Sequence, residues 1–283
     1  VSLRNIAAHK LRLALTVLAV VLGTAFISGA FMFTNSLDST FKAAVSSTYE
    51  GVDAVVTPAE GLRSIPQETR DGIAGDDKVG DVNVTASETV VLATEGEDPI
   101  QTGGGTSSLS VWYEPDSVVG QVSTLVEGER PEAADDLVLN SKGAENFGVS
   151  VGDTLIVVDP QERRTMTVSG LYETDLDQGQ SLIAYMTEDA FLERYTVDGS
   201  SSQLIVSAAE GTSDTDLVAH LSGTYEGVEV ETGEKLAEEM SKVLSQALSF
   251  VNYFLVAFGL VALLVGTFLI ANTFSMIVAQ RTK

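Results

Sequence analysis

The sequence contains no cysteine, two histidines and one tryptophan in 283 residues. Without cysteine the chain can form no disulfide, no thiolate zinc site and no thiol nucleophile. Basic residues are also scarce, because 16 Lys and Arg stand against 40 Asp and Glu, for a net charge of −24. Phosphate recognition needs clustered Lys and Arg, so we expect no nucleic-acid partner. Mean hydropathy is nevertheless +0.18, which indicates that very polar and very apolar segments coexist.

Two long uncharged runs lie near the ends of the chain. The first, Leu13–Phe33, has 21 residues. As a helix it would be ~31 Å long, which matches a bilayer core of about 30 Å. The second run lies between Lys242 and Arg281 and has 38 residues, the most apolar of which are Tyr253–Ile270. We therefore predict membrane-spanning helices at residues 13–33 and 251–279.

A cleaved signal peptide is the alternative interpretation of the first run. Arg4, Lys10 and Arg12 would form its basic start, and cleavage would fall near Ser28–Ala30. The run is, however, longer than the usual apolar region of about 7–15 residues in a signal peptide. This length favours a retained anchor.

Charge predicts the orientation of the two crossings. Residues 1–33 and 250–283 contain basic residues and no acid, whereas residues 34–249 contain all 40 acidic residues. Basic flanks stay on the cytoplasmic side of a membrane. We therefore expect both termini to be cytoplasmic and residues 34–249 to lie outside the cell membrane.

Helical apolar patterns continue beyond each predicted crossing. We predict two stalk helices there, at residues 34–52 and 233–250, each packed through an apolar stripe. The stripe residues are Leu37, Phe41, Leu236, Met240 and Leu244. Within the predicted crossings, small residues recur at spacings that allow close approach of two helices. These candidate contact residues are Gly23, Gly29, Ala262 and Gly266.

The sequence pattern of the outer region predicts two β-α-β units, at residues 53–94 and 200–232. The two units are split in sequence and paired in space. Each shows the order strand, helix, strand. The segments are Asp53–Thr57, Pro66–Ala74 and Val82–Leu92, then Leu204–Ala208, Ser213–Leu221 with a Ser or Asp cap, and Val228–Glu231.

A more β-rich subdomain is predicted at residues 95–199, inserted between the two units. It begins with a flexible Gly- and Thr-rich stretch. Its predicted strands are Leu109–Tyr113, Leu137–Leu139, Thr154–Val158, Thr165–Leu171 and Leu182–Met186, and its helices are Ser141–Phe147 and Thr187–Tyr195. The fold class is therefore an α+β membrane protein with two transmembrane helices and their stalks flanking an extracytoplasmic domain.

The search for catalytic, cofactor and metal sites gives no candidate. His220 is the single histidine of the outer region, and no Gly-x-Ser-x-Gly motif accompanies it. We interpret it as a satisfied or solvent-facing side chain. Gly103–Gly105 has no following Lys-Ser/Thr and is interpreted as a linker. The acidic groups at Asp71, Asp76–Asp77 and Asp135–Asp136 lack calcium-loop spacing and are interpreted as solvated surface.

The motifs, taken in order, resemble FtsX-like, MacB-type ABC transporter permeases. The resemblance covers most of the chain. The matching residues are Ser2–Asn5 and His9–Arg12, then Glu127–Pro131, Asp136–Asn140, Phe147–Val149, Val151–Leu155 and Val168–Tyr172, and finally Ile270–Phe274 and Val278–Lys283.

The resemblance implies a MacB-like periplasmic core with a porter-like subdomain, in a permease of the bacterial cell membrane. It implies a separate ABC ATPase subunit as partner and a homodimer, or a pseudo-dimer with a second permease unit. Residues 1–12 would form a cytoplasmic amphipathic segment with Arg4, Lys10 and Arg12 at the inner face. Residues 280–283 would begin the ATPase-coupling region, through Gln280, Arg281 and Lys283.

In such machines, ATP-driven motion reaches the outer domain and serves to export or extract a peptide, lipid, lipoprotein or antibiotic-like substrate. The family has four crossings per unit, so we expect this sequence to be a fragment or the remainder to be encoded elsewhere. A two-transmembrane receptor for an outside solute is the alternative, and an anchored extracytoplasmic enzyme is a third. No cofactor is expected.

Overall fold

A computed structural model of the chain describes residues 10–174 and 178–279. The chain divides into two compact units. The helical unit consists of residues up to Val45 and from Glu239 onward, and the mixed unit is Ser46–Glu238. All strands of the described residues belong to the mixed unit.

Six helices and twelve strands follow one another along the described part of the chain. The helices are α1 (Lys10–Thr48), α2 (Gln67–Ala74), α3 (Ser141–Phe147), α4 (Glu188–Tyr195), α5 (Asp214–Thr224) and α6 (Gly233–Ala279). The strands are β1 (Ala54–Pro58), β2 (Val79–Val84), β3 (Ser87–Thr89), β4 (Val91–Thr94), β5 (Ser107–Val111), β6 (Thr124–Gly128), β7 (Asp136–Asn140), β8 (Thr154–Val158), β9 (Arg163–Glu173), β10 (Leu182–Met186), β11 (Leu204–Ala208) and β12 (Val228–Glu231).

The two terminal helices are long and unbroken. Neither α1 nor α6 contains proline, which would remove a backbone hydrogen bond and kink the helix. Each helix therefore includes both the predicted membrane segment and residues of the predicted stalk. Within α6, Gly233–Phe268 is long and apolar enough to cross a membrane, and it is the one such segment found among the described residues.

A four-stranded antiparallel sheet has the order β12-β1-β11-β2. Its strands come from both ends of the mixed unit. Because side chains alternate along a strand, Ala54 and Val56 of β1 lie on the same side, where they share a core with Leu217 of α5. Val55 points the other way and packs with Val52.

An eight-stranded mixed sheet holds the remaining strands. Seven follow the order β3-β5-β10-β7-β9-β8-β4, and β6 pairs with β9. The pairs β5–β10 and β7–β9 are parallel, and the other pairs are antiparallel. Ala144 of α3 and Phe191 of α4 are buried in its main core. Trp112, Val138 and Tyr172 form a second, aromatic cluster.

Several predicted elements are confirmed at residue level. The strands Thr154–Val158, Leu182–Met186, Leu204–Ala208 and Val228–Glu231 have the predicted bounds. The predicted cap of α5 is also confirmed, because the Ser213 side chain accepts a hydrogen bond from the Asp216 N–H. Such a cap satisfies a backbone donor that the first helical turn leaves free.

The prediction of one strand over Val82–Leu92 is wrong. The segment divides into the end of β2, then β3 and β4, which belong to the other sheet. The Thr85 N–H donates to the Gln203 carbonyl at 3.0 Å, and the Ala86 carbonyl accepts from the Ser110 hydroxyl at 2.6 Å. These bonds fix the point at which the chain changes sheets, before the predicted boundary at residue 94.

Candidate functional site

The chain crosses between the two sheets twice, and the two crossovers are bonded to each other. The outgoing crossover follows Val84, and the returning one covers residues 196–203. The Thr85–Gln203 hydrogen bond joins them. Nearby, the Tyr113 hydroxyl accepts from the Val84 N–H at 2.7 Å and donates to a Glu188 carboxylate oxygen at 2.6 Å. Burial, together with the adjacent Glu188, holds the pKa of Tyr113 above its ordinary value, so the phenol remains a donor.

The returning crossover is held in an uncommon backbone conformation. Asp198 and Gly199 have φ of 52° and 65°, the left-handed region that favours glycine. The Arg70 guanidinium of α2 donates to the Gly199 carbonyl at 3.0 Å. Ile65 and Ser201 exchange backbone hydrogen bonds of 2.7 and 2.9 Å. The segment is therefore fixed from the side of the four-stranded sheet.

A cavity of about 330 Å³ lies at these crossovers. We call it the crossover cleft. Its lining is rich in hydroxyl groups and contains one cation, one carboxylate and two aromatic rings. The lining residues are Arg63, Ser64, Ala86, Ser87, Glu88, Phe191, Tyr195, Thr196, Val197, Ser200, Ser201 and Ser202.

Several polar groups of the crossover cleft are unpaired within residues 10–174 and 178–279. Ser201 is 1% exposed, and its buried hydroxyl has no hydrogen-bond partner. An unsatisfied buried polar group costs about 1–3 kcal/mol. Among the described residues, the exposed Arg63 and the half-buried Glu88 take part in no ion pair or side-chain hydrogen bond. The cleft thus presents unused hydrogen-bonding capacity on a fixed backbone.

The helical unit contains a polar contact between its two helices. The Ser245 hydroxyl of α6 donates to Asp38 of α1 at 2.7 Å, and the Lys42 ammonium lies 2.8 Å from the same carboxylate. We call these three residues the helix clasp. Hydrogen bonds from Lys42 and Ser245 lower the pKa of Asp38, so its carboxylate is charged at neutral pH.

The predicted stripe residues differ in exposure. Leu37, Leu236 and Leu244 are half-buried, whereas Phe41 and Met240 are exposed.

The predicted small residues also differ in exposure, and their role in helix packing stays a prediction. Gly23 and Gly266 are half-buried, and Gly29 and Ala262 are exposed. A Cβ added at any of the three glycines would meet no atom within 4 Å.

Close approach of the helices occurs instead at Gly259, a position that the sequence pattern did not predict. A Cβ there would lie 2.5 Å from Cγ1 of Ile27. The spacing of Gly259 and Gly266, seven residues or two helical turns apart, is a signal that could have found it.

His220 lies in an ordinary structural contact. Its Nε2 is 2.9 Å from a carboxylate oxygen of Asp76, which also lies 3.3 Å from the Tyr225 hydroxyl. Burial alone would raise the pKa of Asp76, but hydrogen bonds from the Lys78 N–H, His220 and Tyr225 outweigh it and lower that pKa. No acidic group considered for calcium belongs to a possible metal cluster within the described residues.

The remaining predicted residues have little structural description. Arg4, Gln280, Arg281 and Lys283 lie outside the described residues, and Lys10 and Arg12 belong to the start of α1. Their roles at the cytoplasmic face and in ATPase coupling therefore stay predictions.

A sequence model of the MacB-like periplasmic core domain matches residues 13–223. The chain belongs to this family. The predicted relationship to MacB-type ABC transporter permeases is thereby confirmed.

Three solved structures resemble this MacB-like chain. The periplasmic region of MacB from Actinobacillus actinomycetemcomitans aligns with a TM-score of 0.50 at 12% identity, over 70% of this chain and 97% of that one. The extracellular domain of the ABC-type transporter YknZ from Gram-positive bacteria gives 0.43 at 15% identity, over 64% and 98%. A domain of a permease protein from Porphyromonas gingivalis gives 0.39 at 12% identity, over 63% and 88%. No curated protein sequence matches. At this identity, the MacB structure supports the fold of the MacB-like domain and nothing finer.

Proposed function

We propose that this chain is the mechanotransmitting part of a MacB/FtsX-type ABC transporter permease. The observation that carries the proposal is the continuity of α1 over Lys10–Thr48 and of α6 over Gly233–Ala279. In an unbroken helix every residue is tied to the next turn by backbone hydrogen bonds, so tilt or rotation at one end moves the other. Motion supplied by an ATPase at the cytoplasmic side would thereby reach the outer domain, for export or extraction of a substrate.

The proposal includes two membrane crossings with both termini in the cytoplasm. Residues 1–33 and 250–283 contain no acidic residue, whereas residues 34–249 contain all 40. The positive-inside rule counts Lys and Arg near the ends of a span, and Arg4, Lys10 and Arg12 directly precede the first proposed crossing. The four-stranded sheet, assembled from both ends of the mixed unit, would be the porter-like subdomain, and the eight-stranded sheet would be the inserted subdomain.

The absence of cysteine gives a clean test of this topology. Ser222→Cys places a thiol on an exposed position of the outer domain, and Ser2→Cys and Lys283→Cys place thiols near the chain ends. In intact cells, a membrane-impermeant maleimide should label the first variant alone. In permeabilised cells all three should react, which is the control. Labelling of the terminal variants in intact cells would contradict the topology.

The partner is tested with the complete gene product and its ATPase subunit. We expect the two to co-purify and the permease to stimulate ATP hydrolysis. A double variant, Arg281→Glu with Lys283→Glu, should weaken both effects, because it reverses the charge of the proposed coupling region. Lys142→Glu, on the exposed surface of α3, is the matched control. Unchanged stimulation by the double variant would refute the coupling role.

A further inference from the structure

The crossover cleft has the size and position of a small-molecule site. Its volume of about 330 Å³ corresponds to roughly eleven water molecules at about 30 Å³ each. This lies at the lower end of the range for ligand cavities, about 300–1,000 Å³, which often occur where two substructures meet. A ligand of this volume has about the size of an amino acid or a dipeptide.

Two residues of opposite charge, Arg63 and Glu88, line the crossover cleft. Arg63 precedes the Ile65–Ser201 bridge, and Glu88 lies on β3, so the two charges come from different walls. Among the described residues, neither group is neutralised by a partner. A ligand that carries one negative and one positive group would complement both.

The overall charge of the outer region also limits the kinds of ligand that the cleft could bind. Residues 34–249 hold all 40 acidic residues of a chain with only 16 basic ones. Such a field repels simple anions, although Arg63 would attract them locally. A simple cation would leave Arg63 unpaired. A zwitterion has no net charge to be repelled, and it satisfies both walls.

The rest of the lining suits such a ligand. Phe191 and Tyr195 are in contact, with ring centroids 5.0 Å apart, and supply an apolar wall. Ser201 supplies the unpaired hydroxyl. The bonds from Arg70 to Gly199 and between Ile65 and Ser201 hold this wall in place before any ligand arrives. Preorganisation of this kind reduces the entropy lost on binding.

We propose that the crossover cleft binds a small zwitterion, an amino acid or a dipeptide, whose carboxylate pairs with Arg63 and whose ammonium group pairs with Glu88. Because the ligand would contact both crossovers between the sheets, its binding would stabilise one arrangement of the two subdomains. The proposal rests on the cleft alone and does not depend on the transport function.

Isothermal titration calorimetry on the full chain in lipid nanodiscs tests the proposal. The probes are the twenty L-amino acids and the glycyl dipeptides, with glucose as a neutral hydroxylated probe. We expect at least one zwitterion to bind saturably with a Kd below about 1 mM. Arg63→Gln and Glu88→Gln should each weaken its binding by about tenfold or more, the usual effect of losing a charged hydrogen bond. Arg130→Gln changes an exposed arginine outside the cleft and should have no effect.

Derivatives of the bound amino acid assign each charge to its partner. The amide derivative lacks the carboxylate, so it should bind native protein weakly. Its affinity should fall no further in Arg63→Gln. The N-acetyl derivative lacks the ammonium group, so its affinity should not fall further in Glu88→Gln. Unchanged Trp112 fluorescence in each variant shows that the domain remains folded.

Three results would overturn the proposal. The first is the absence of binding by every zwitterion up to about 10 mM. The second is binding that neither variant weakens. The third is glucose binding lost in the same variants, which would mean recognition through hydroxyl groups instead of charges.

Discussion

The contact at Gly259 gives a prediction with a built-in control on the same helix. In Gly259→Ala, the new Cβ would lie 2.5 Å from Cγ1 and 2.6 Å from Cδ1 of Ile27. Carbon atoms pack best at about 3.5–4.0 Å, so the atoms are short of contact distance by about 1 Å. Either Ile27 changes rotamer or the helices separate.

Gly266→Ala is the control, because a Cβ at Gly266 meets no atom within 4 Å. Both variants gain about the same helix propensity, ~1 kcal/mol. The difference between them therefore isolates the overlap at Ile27, for which overpacking typically costs about 1–3 kcal/mol. We expect Gly259→Ala to destabilise the helix pair by that amount relative to Gly266→Ala.

Spin labels provide the assay, since the chain has no cysteine of its own. Labels at Ser36→Cys and Ser249→Cys occupy exposed positions of α1 and α6. Pulsed electron–electron double resonance should show a longer or broader distribution of the distance between the two labels in Gly259→Ala. In Gly266→Ala the distribution should be that of the native protein. Titration with SDS should separate the helices of Gly259→Ala at the lower detergent fraction. Equal behaviour of the two variants, or a larger effect at Gly266, would refute the close contact at Gly259.

Three further predictions concern the mixed unit. The pKa of Asp76 in the folded protein is below its ordinary value of 3.8, so its contribution to stability is present above that pH and is lost as the pH falls through the folded pKa. His220→Gln should reduce this acid-dependent loss of stability in pH-resolved melting curves. An unchanged pH slope would contradict the role of the His220–Asp76 contact. Ser213→Ala should destabilise the protein by about 1 kcal/mol through loss of the α5 cap, measured by urea unfolding, whereas Ser213→Asp should restore most of it. Phe191→Ala should cost about 3–5 kcal/mol because it empties the core of the eight-stranded sheet; unfolding followed by Trp112 fluorescence should show it, and a change below about 1 kcal/mol would contradict the burial of Phe191.

The sequence predicted those elements whose signal is local. Residues 204–208 and 182–186 are short, mostly apolar runs, LIVSA and LIAYM, and Ser213 stands where a helix needs a cap. A short apolar run indicates a strand, but it does not show which sheet the strand joins. Residues 82–92 therefore read locally as one strand, since the change of sheet at Thr85 and Ala86 has no glycine or proline to mark it.

Most of the candidate site could not be predicted from the sequence. Asp38 and Ser245 of the helix clasp are 207 residues apart, and nothing in either helix specifies their register. The crossover cleft depends on the hydrogen bond between Thr85 and Gln203, which also joins residues far apart in the sequence. β6 was not predicted because its sequence, TLVEG, has two apolar residues only, too few to indicate a strand. Contacts of this kind follow from the assembled sheets and not from local preference.

Several of the acidic residues have a structural use that does not need cations. The Asp53 carboxylate accepts from the Ala208 N–H at 2.7 Å, and that of Asp153 accepts from the Ser150 N–H at 2.8 Å. Asp159 likewise accepts from two backbone N–H groups at 2.8 and 2.9 Å. Backbone N–H donors satisfy these carboxylates, and hydrogen bonds to a charged acceptor are stronger than those between neutral groups. A chain with 40 acidic and 16 basic residues can therefore satisfy these carboxylates through its own backbone.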